Sequence, residues 1–429
     1  MKAWAQGEHA RRVVMLCYYY PPIQTAGIAR SVGFARNLPA WGWMPVVVSV
    51  EHGHDSWGVA GRAAPVPLDV PVVRTPEINV DRPVSLGDAV LFRLGRLFGS
   101  QRASHLLRTL VAFPDTQIGW RVVARASELA RDADCLYVSC SPFSAAIKAV
   151  EVKRRTGVPL VLDFRDAWSL NPYAALTSPL RHRRIARLER HVLTAADRVI
   201  VNTEGALRLY RQAYPELAAR FVCIPNGYDS LNEPAPGERA DDRFTVVHVG
   251  TLYGSRDPTP LLEAMSELDL PGARFIQVGL PRPDLERFSG RVDITSTGQV
   301  TPTEALAWMR RASLLYLVQG HESGVRDYIA VAAKTCEYLA TGLPVLADCP
   351  SGDNADMVAR HASRSWVITD RDPVSFREAL VAAHAGRADF RPRIDPDFIR
   401  LFDRRTLTGR LAAVLEDAIH LPRSEVVSP

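Results

Sequence analysis

KTCEYLATGLPVLAD, from Lys334 to Asp348, reads as a helix, a tight turn and a buried strand. Glu337 is the one carboxylate of the helix and falls near its start, and Gly342 follows the last apolar residue as a C-terminal stop. Pro344 then blocks any continuation, and Val345, Leu346 and Ala347 supply a short apolar strand. A carboxylate accepts two hydrogen bonds at once, which suits a pair of vicinal hydroxyls such as those of a ribose. The plainer reading makes Glu337 a solvated residue favoured by the helix dipole.

The wider pattern is informative. Lys334-x-x-Glu337-Tyr338-Leu339-Ala340-x-Gly342-x-Pro344-Val345-Leu346 resembles the donor-site motif of the GT4-type retaining glycosyltransferases, GT-B enzymes that move a sugar from a nucleotide donor. The resemblance implies an α/β chain of GT-B type, with two Rossmann-like, doubly wound domains facing an interdomain cleft. It also implies that Glu337 binds the donor ribose. The family's other glutamate, eight residues earlier, is Ile329 here, while a lysine at the position of Lys334 is common in divergent branches.

A chain of 429 residues is long enough for two full cores. Its hydrophobic fraction of 47% and charged fraction of 23% are those of an ordinary globular protein and argue against extended disorder. Cys17, Cys135, Cys140, Cys223, Cys336 and Cys349 are scattered through apolar runs without a Cys-x-x-Cys pair, as expected of reduced core residues. No apolar run reaches the roughly 20 residues of a membrane span, and MKAWAQGEHARR leads into a strand rather than a signal-peptide core. The expected location is the cytoplasm, with the inner face of a membrane as a place of contact. The net charge of +5 is mild and fits a phosphate-bearing substrate or an anionic surface.

In the first half, Val13 to Tyr18 is a strand and YYPPIQTAGIARSVGFARNL is a loop that enters an amphipathic helix at or just after Gly27. Free N–H groups and the positive dipole end there suit a diphosphate. The family resemblance puts Gly27 beside the donor phosphates; Arg30 is either a surface arginine or a substrate contact. PVVVSV, from Pro45 to Val50, is a second parallel strand. DAVLFRLGRLFGSQRASHLLRTLVAF places Val90, Leu91, Leu94, Leu97 and Phe98 at helical spacing among Arg93, Arg96, Arg102 and Arg108, a core-facing helix with a cationic outer face or a membrane-surface helix. GVPLVLDFRDAWSLNPY is a buried strand from Pro159 to Leu162 whose carboxyl end delivers Asp163, Arg165 and Asp166, where open α/β sheets bind ligands. Asp-Phe-Arg-Asp-x-Trp matches a divergent GT4 branch, so the sugar contacts fall to Asp163, Arg165 or Asp166; the alternative pairs Asp163 with Arg165 or makes it a cap. RHRRIARLERHVLTAAD is a basic helix, solvated or facing an acidic partner or membrane, and Thr203 is placed to cap the helix that follows.

LNEPAPGERADD, from Leu231 to Asp242, is the linker candidate. The expected divisions are 1–232 for an acceptor-side domain, 233–400 for a nucleotide-sugar domain, and 401–429 for a last helix crossing back, with a tail. Beyond the linker, FTVVHVG leads through GTLYGSRDP into a helix with Asp257 as N-cap and Pro258 first. Gly250, Gly254 and Arg256 therefore stand at a helix start, where an arginine can neutralise a departing diphosphate. In the family an arginine and a later lysine share that work; Thr251 takes the first position here and Lys334 compensates. Thr297 to Val300 precedes a capping box of Thr301, Pro302 and Glu304, and the resemblance makes Gln299 and Val300 contacts to the nucleobase. HESGVRDYIAVAAK departs most from the family, and His321, Glu322 and Arg326 are its sugar-reading candidates or parts of a lid.

The function expected is transfer of a hexosyl or related group from a nucleoside-diphosphate sugar to an acceptor hydroxyl with retention of configuration. The setting expected is polysaccharide, glycolipid or glycosylated natural-product biosynthesis, with no cofactor and no metal, and no nucleic acid as partner. Asp163, Arg165, Asp166, Arg256 and Lys334 are the catalytic candidates, and Gly27, Gly250, Gly254, Gln299, Val300 and Glu337 those for the donor. The rival readings are a nucleotide-sugar epimerase of the same fold and a non-catalytic GT-B subunit of an assembly complex.

Overall fold

A computed structural model of the chain describes residues 10–23, 27–51, 69–78, 113–171, 178–229, 243–321 and 328–421. The segment from 88 to 112, the linker from 231 to 242, Glu322 and Arg326 lie outside these residues.

Strands alternate with helices throughout, and the strands collect into two parallel sheets. In the first, β1 (Arg11–Leu16), β2 (Trp43–Val50), β3 (Val72–Thr75), β4 (Cys135–Cys140), β5 (Leu160–Phe164), β6 (Arg198–Val201) and β7 (Phe221–Cys223) lie in the order β3-β2-β1-β4-β5-β6-β7. In the second, β8 (Thr245–Val249), β9 (Arg274–Val278), β10 (Asp293–Ser296), β11 (Leu314–Val318), β12 (Val345–Asp348) and β13 (Ser365–Ile368) lie in the order β10-β9-β8-β11-β12-β13. Each order reverses beside its first strand, between β1 and β4 and between β8 and β11. That reversal defines a doubly wound sheet and opens a crevice at the carboxyl ends of the strands. The expected pair of doubly wound domains is thus what the chain forms.

The apolar runs behave as parallel strands buried on both faces should. Val13 to Leu16 are wholly buried. In the second sheet the two-residue side-chain period divides the core: Val246 and Leu346 pack with Phe244, Phe275 and Tyr316 on one face, while Val247, Val345 and Ala347 pack with Leu315, Tyr338 and Val358 on the other. The edge strand β10 is largely exposed.

The helices are α1 (Ile28–Asn37), α2 (Val123–Ala130), α3 (Ser144–Thr156), α4 (Pro179–Ala195), α5 (Glu204–Ala213), α6 (Thr259–Glu267), α7 (Pro302–Arg310), α8 (Ala333–Leu339), α9 (Asp353–His361), α10 (Pro373–Ala385), α11 (Pro396–Phe402) and α12 (Arg404–His420). Their starts follow local chemistry. The capping box at α7 is complete, with the Thr301 hydroxyl accepting from Glu304 N and the Glu304 carboxylate from Thr301 N. Thr203 accepts from Ala206 N at 3.0 Å and so caps α5. α6 starts one residue later than its sequence suggests, with Pro258 just before it; the Asp257 carboxylate still accepts from Thr259 N at 3.2 Å. Gly342 ends the α8 turn at φ +67°, in the left-handed region that glycine holds without strain.

The described residues group into two compact units. One takes those up to 202, those from 207 to 224 and those from 408 onward; the other takes 203–206 and 225–407. Residues 225–229, expected in the first domain, therefore group with the second unit, and α12 joins the first unit from Thr408. All six cysteines are free and buried. Among the described residues, no helix is long and apolar enough to cross a membrane.

Candidate functional site

In the first unit the carboxyl end of β5 carries the Asp-Phe-Arg-Asp run, but the strand extends two residues beyond its expected end at Leu162. Asp163 is therefore a strand residue with no exposed surface. Its partner is neither Arg165 nor a helix end. Arg30 of α1, itself 5% exposed, donates from Nε to Asp163 at 2.8 Å and from Nη2 at 3.0 Å, and the Tyr137 hydroxyl donates to the same carboxylate. Arg30 also donates to the Ile224 carbonyl at 2.9 Å. Burial works against the Arg30 charge, yet Asp163 outweighs it and the guanidinium pKa is raised. Neither expectation for Arg30, surface residue or substrate contact, describes a guanidinium held in this buried pair.

Arg165 is the residue that meets Gly27. α1 starts directly after Gly27, as expected, and has no side-chain cap. A Cβ on Gly27 would fall 1.5 Å from Arg165 Nη1, so the absent side chain makes the room in which the guanidinium lies. Arg165 Nη2 donates to the Ser141 carbonyl at 2.8 Å, and its Nε is buried with no hydrogen-bond partner. Asp166, one residue on, is exposed. The loop behind these residues is tied to a buried carboxylate for which the sequence gives no signal. Glu189 of α4 accepts from Ser169 N at 3.1 Å, Tyr210 at 2.6 Å and Tyr214 at 2.9 Å.

A cavity of about 320 Å³ in this unit is lined by Arg11, Arg131, Asp134 and His420, at the amino ends of β1, β4 and β5. None of the candidate residues lines it, and ligands of such sheets bind at the other end.

In the second unit the candidates gather at the carboxyl end of β8. Gly250 has φ +138°, and a Cβ there would lie 2.8 Å from Lys334 Cε and 3.5 Å from His248 Nε2. Lys334 of α8 is half-buried, and its pKa is lowered by burial; the negative charge of Glu337 opposes the shift and the positive charge of Arg256 adds to it. Lys334 thus lies within the fields of both Arg256 and Glu337. Glu337 is exposed, one helical turn beyond Lys334. Arg256 lies over the Tyr253 ring at 4.6 Å, on a loop whose Gly254 has φ +56°.

His248, to which nothing in the local sequence points, is a buried polar residue in an apolar strand. Its Nδ1 lies 3.0 Å from the Tyr316 carbonyl, which can only accept, so Nδ1 carries the proton and Nε2 is left as an acceptor. Burial first, then the charges of Lys334 and Arg256, push its pKa down to about 4, against the Tyr316 hydrogen bond. Gln299 is exposed, and Val300 is half-buried against the core around Val247 and Met309. His321 Nε2 is 3.0 Å from the buried Asp348 carboxylate.

Chemically, this strand end offers two cations, an exposed carboxylate and an open backbone at a glycine. Such a set can hold a diphosphate and a diol.

Residues 26–227 match the family model described as Glycosyl transferase 4-like domain. D-inositol 3-phosphate glycosyltransferase of Geodermatophilus obscurus is 27% identical over 224 residues, which are 46% of this chain and 48% of that protein. The enzyme of the same name from Mycolicibacterium smegmatis is 28% identical over 237 residues, 48% of this chain and 53% of that protein. The chain spans about half the length of these curated relatives. The crystal structure of Anabaena HepE in complex with UDP and glucose aligns over 94% of this chain and 99% of its own, with a TM-score of 0.58 at 15% identity. Sucrose-phosphate synthase from Thermosynechococcus elongatus aligns over 95% and 98%, with a TM-score of 0.61 at 14% identity.

Proposed function

The chain has the GT-B fold and its residues 26–227 match a glycosyl transferase 4-like domain, and from that premise we propose that it is a GT4-type enzyme that transfers a glycosyl group from a nucleoside-diphosphate sugar to an acceptor hydroxyl, with retention of configuration. The bond from the anomeric carbon to the diphosphate breaks, a bond from that carbon to the acceptor oxygen forms, and the hydroxyl proton leaves with the diphosphate. No protein nucleophile is required. The work is stabilisation of charge on the departing group by preorganised donors. Arg256 and Lys334 do this without a metal, Glu337 holds the ribose hydroxyls, and Gln299 and Val300 meet the base. Arg165 and Asp166 on the first unit are the accessible candidates for sugar or acceptor contact; Asp163 supports them from within the core. The acceptor is a glycan, a lipid-linked sugar or a small molecule, and the exposed arginines of α4 give the chain a surface for peripheral contact with an anionic membrane.

The observation that carries the proposal is Lys334 packed against Gly250 at the end of the first strand of a doubly wound sheet, within the fields of both Arg256 and Glu337. HepE has been crystallised with UDP and with UDP-glucose, so uridine nucleotides are the first probes. A thermal-shift panel of UDP, GDP, ADP and their sugars tests it, since a ligand at 100 times its Kd adds about 2.7 kcal/mol of stability. At least one of them should raise Tm, and Glu337→Ala should abolish the rise. No response to any nucleotide overturns the proposal, and a response unchanged in Glu337→Ala overturns the ribose assignment.

A further inference from the structure

Arg371 is the non-glycine residue with positive φ among the described residues, at +61°. Side chains rarely adopt that conformation, and where they do the surroundings must impose it. Its side chain is anchored on Asp348, the last residue of β12, which has no exposed surface. Arg371 Nη2 donates to Asp348 Oδ2 at 2.9 Å, and the same carboxylate accepts from the Tyr316 hydroxyl at 2.8 Å. The guanidinium also reaches away from its own segment, donating from Nη2 to the backbone carbonyl of Asp257. Its Nε is buried without a hydrogen-bond partner, which carries a desolvation cost.

Asp257 ends the loop that carries Arg256, and that loop is held at three successive residues. At Ser255, Gly320 has no side chain; a Cβ there would fall 2.0 Å from Ser255 Oγ. At Arg256, the carbonyl accepts from Arg282 Nη1 at 2.9 Å. At Asp257, the carbonyl accepts from Arg371. The last two holds act on the backbone and leave the Arg256 side chain to face a ligand.

We infer that Arg371, anchored on the buried carboxylate of Asp348, is a positioning residue that fixes the Gly250–Pro258 loop so that Arg256 meets the donor diphosphate already in place. This rests on the proposed role of that loop. Preorganisation of this kind raises affinity because the loop need not be ordered on binding. The strut acts only through Arg256, so its loss costs nothing further once Arg256 is gone.

The test uses the full chain and two readouts. In calorimetric titration with UDP, GDP and ADP, Arg256→Ala should weaken the tightest of them at least tenfold, and Arg371→Ala nearly as much. Arg256→Ala/Arg371→Ala should lie within twofold of Arg256→Ala alone, and Arg371→Lys should recover part of the loss. In ligand-free protein, hydrogen exchange at the amides of Arg256 and Asp257, which bond to the carbonyls of Tyr253 and Ser255, should quicken at least tenfold in Arg371→Ala. Asp348→Asn should quicken the same amides, and it stands in if Arg371→Ala does not fold. Losses that multiply in the double variant, or loop amides that exchange at the wild-type rate, overturn the strut. If the wild type binds no nucleoside diphosphate, the function proposed above fails, and the exchange measurement still decides the strut.

Discussion

Lys334 occupies the space that a side chain on Gly250 would need, its Cε 2.8 Å from where a Cβ would stand. The glycine serves both the turn, at φ +138°, and the lysine. Gly250→Ala should therefore do two things at once. Backbone strain of about 1–3 kcal/mol should appear as lost stability, and displacement of the ammonium should weaken nucleoside-diphosphate affinity about tenfold, a change of about 1.4 kcal/mol. Denaturant titration and calorimetric titration read the two effects separately. An alanine variant with wild-type affinity would mean that Lys334 does not touch the diphosphate.

Arg30 and Asp163 form a buried ion pair with almost no solvent contact. Removing one partner leaves the other charged and uncompensated, so Arg30→Ala or Asp163→Ala should each cost about 3–5 kcal/mol. Replacing both together with apolar residues of similar size, Arg30→Met with Asp163→Leu, should cost less than either single change, although Tyr137 and Ile224 lose partners. Urea denaturation of the three variants checks this. If Asp163→Ala folds with near-native stability yet has lost transfer activity, Asp163 is a catalytic group rather than a structural one.

His248 gives stability a pH dependence of known sign. Its folded pKa of about 4 lies below the ordinary 6.5, so between those values the unfolded chain binds a proton that the folded chain does not. Stability is then fully present above about pH 6.5 and is lost as pH falls towards 4, by on the order of 3 kcal/mol if the whole shift is expressed. His248→Asn keeps a donor for the Tyr316 carbonyl and does not titrate. It should flatten the stability profile between pH 6.5 and 4, and a profile identical to wild type would show that His248 is not the titrating group.

Glu189 gathers the Ser169 amide and the hydroxyls of Ser169, Tyr210 and Tyr214 on one buried carboxylate. Glu189→Ala would take that acceptor from all four buried donors, at about 1–3 kcal/mol each, and should loosen the loop that bears Arg165 and Asp166. The expected result is a loss of about 3–5 kcal/mol in denaturant titration with faster amide exchange at Trp168 and Ser169. Glu189→Gln, which keeps one acceptor oxygen, should fall between. Unchanged exchange in the alanine variant would separate Glu189 from that loop.

Short-range chemistry is legible in the chain itself. The alternation of apolar runs with amphipathic segments announces parallel strands and crossover helices, because burial on both faces and a 3.6-residue period leave their mark within ten residues. Thr301-Pro302-x-Glu304 announces the start of α7, and Gly342-x-Pro344 announces the stop and strand that follow α8. Lys334 and Glu337 are one helical turn apart whatever the rest of the chain does, and the strand before Gly250 is apolar enough to be central.

What the chain order of residues could not decide is which buried charges answer one another. Asp163 stands two residues from Arg165, yet it pairs with Arg30, 133 residues away, because the sheet order sets β1 and the helix that follows it next to β4 and one strand from β5. Arg371 shows no signal in its own neighbourhood, and its meaning comes from Asp348 and from a loop more than 100 residues earlier. The physical reason is one of range. Periodicity, capping and turn preference act between residues a few positions apart and can be read off directly, whereas a carboxylate without solvent must be answered by whatever donor the packed sheets bring within about 3 Å.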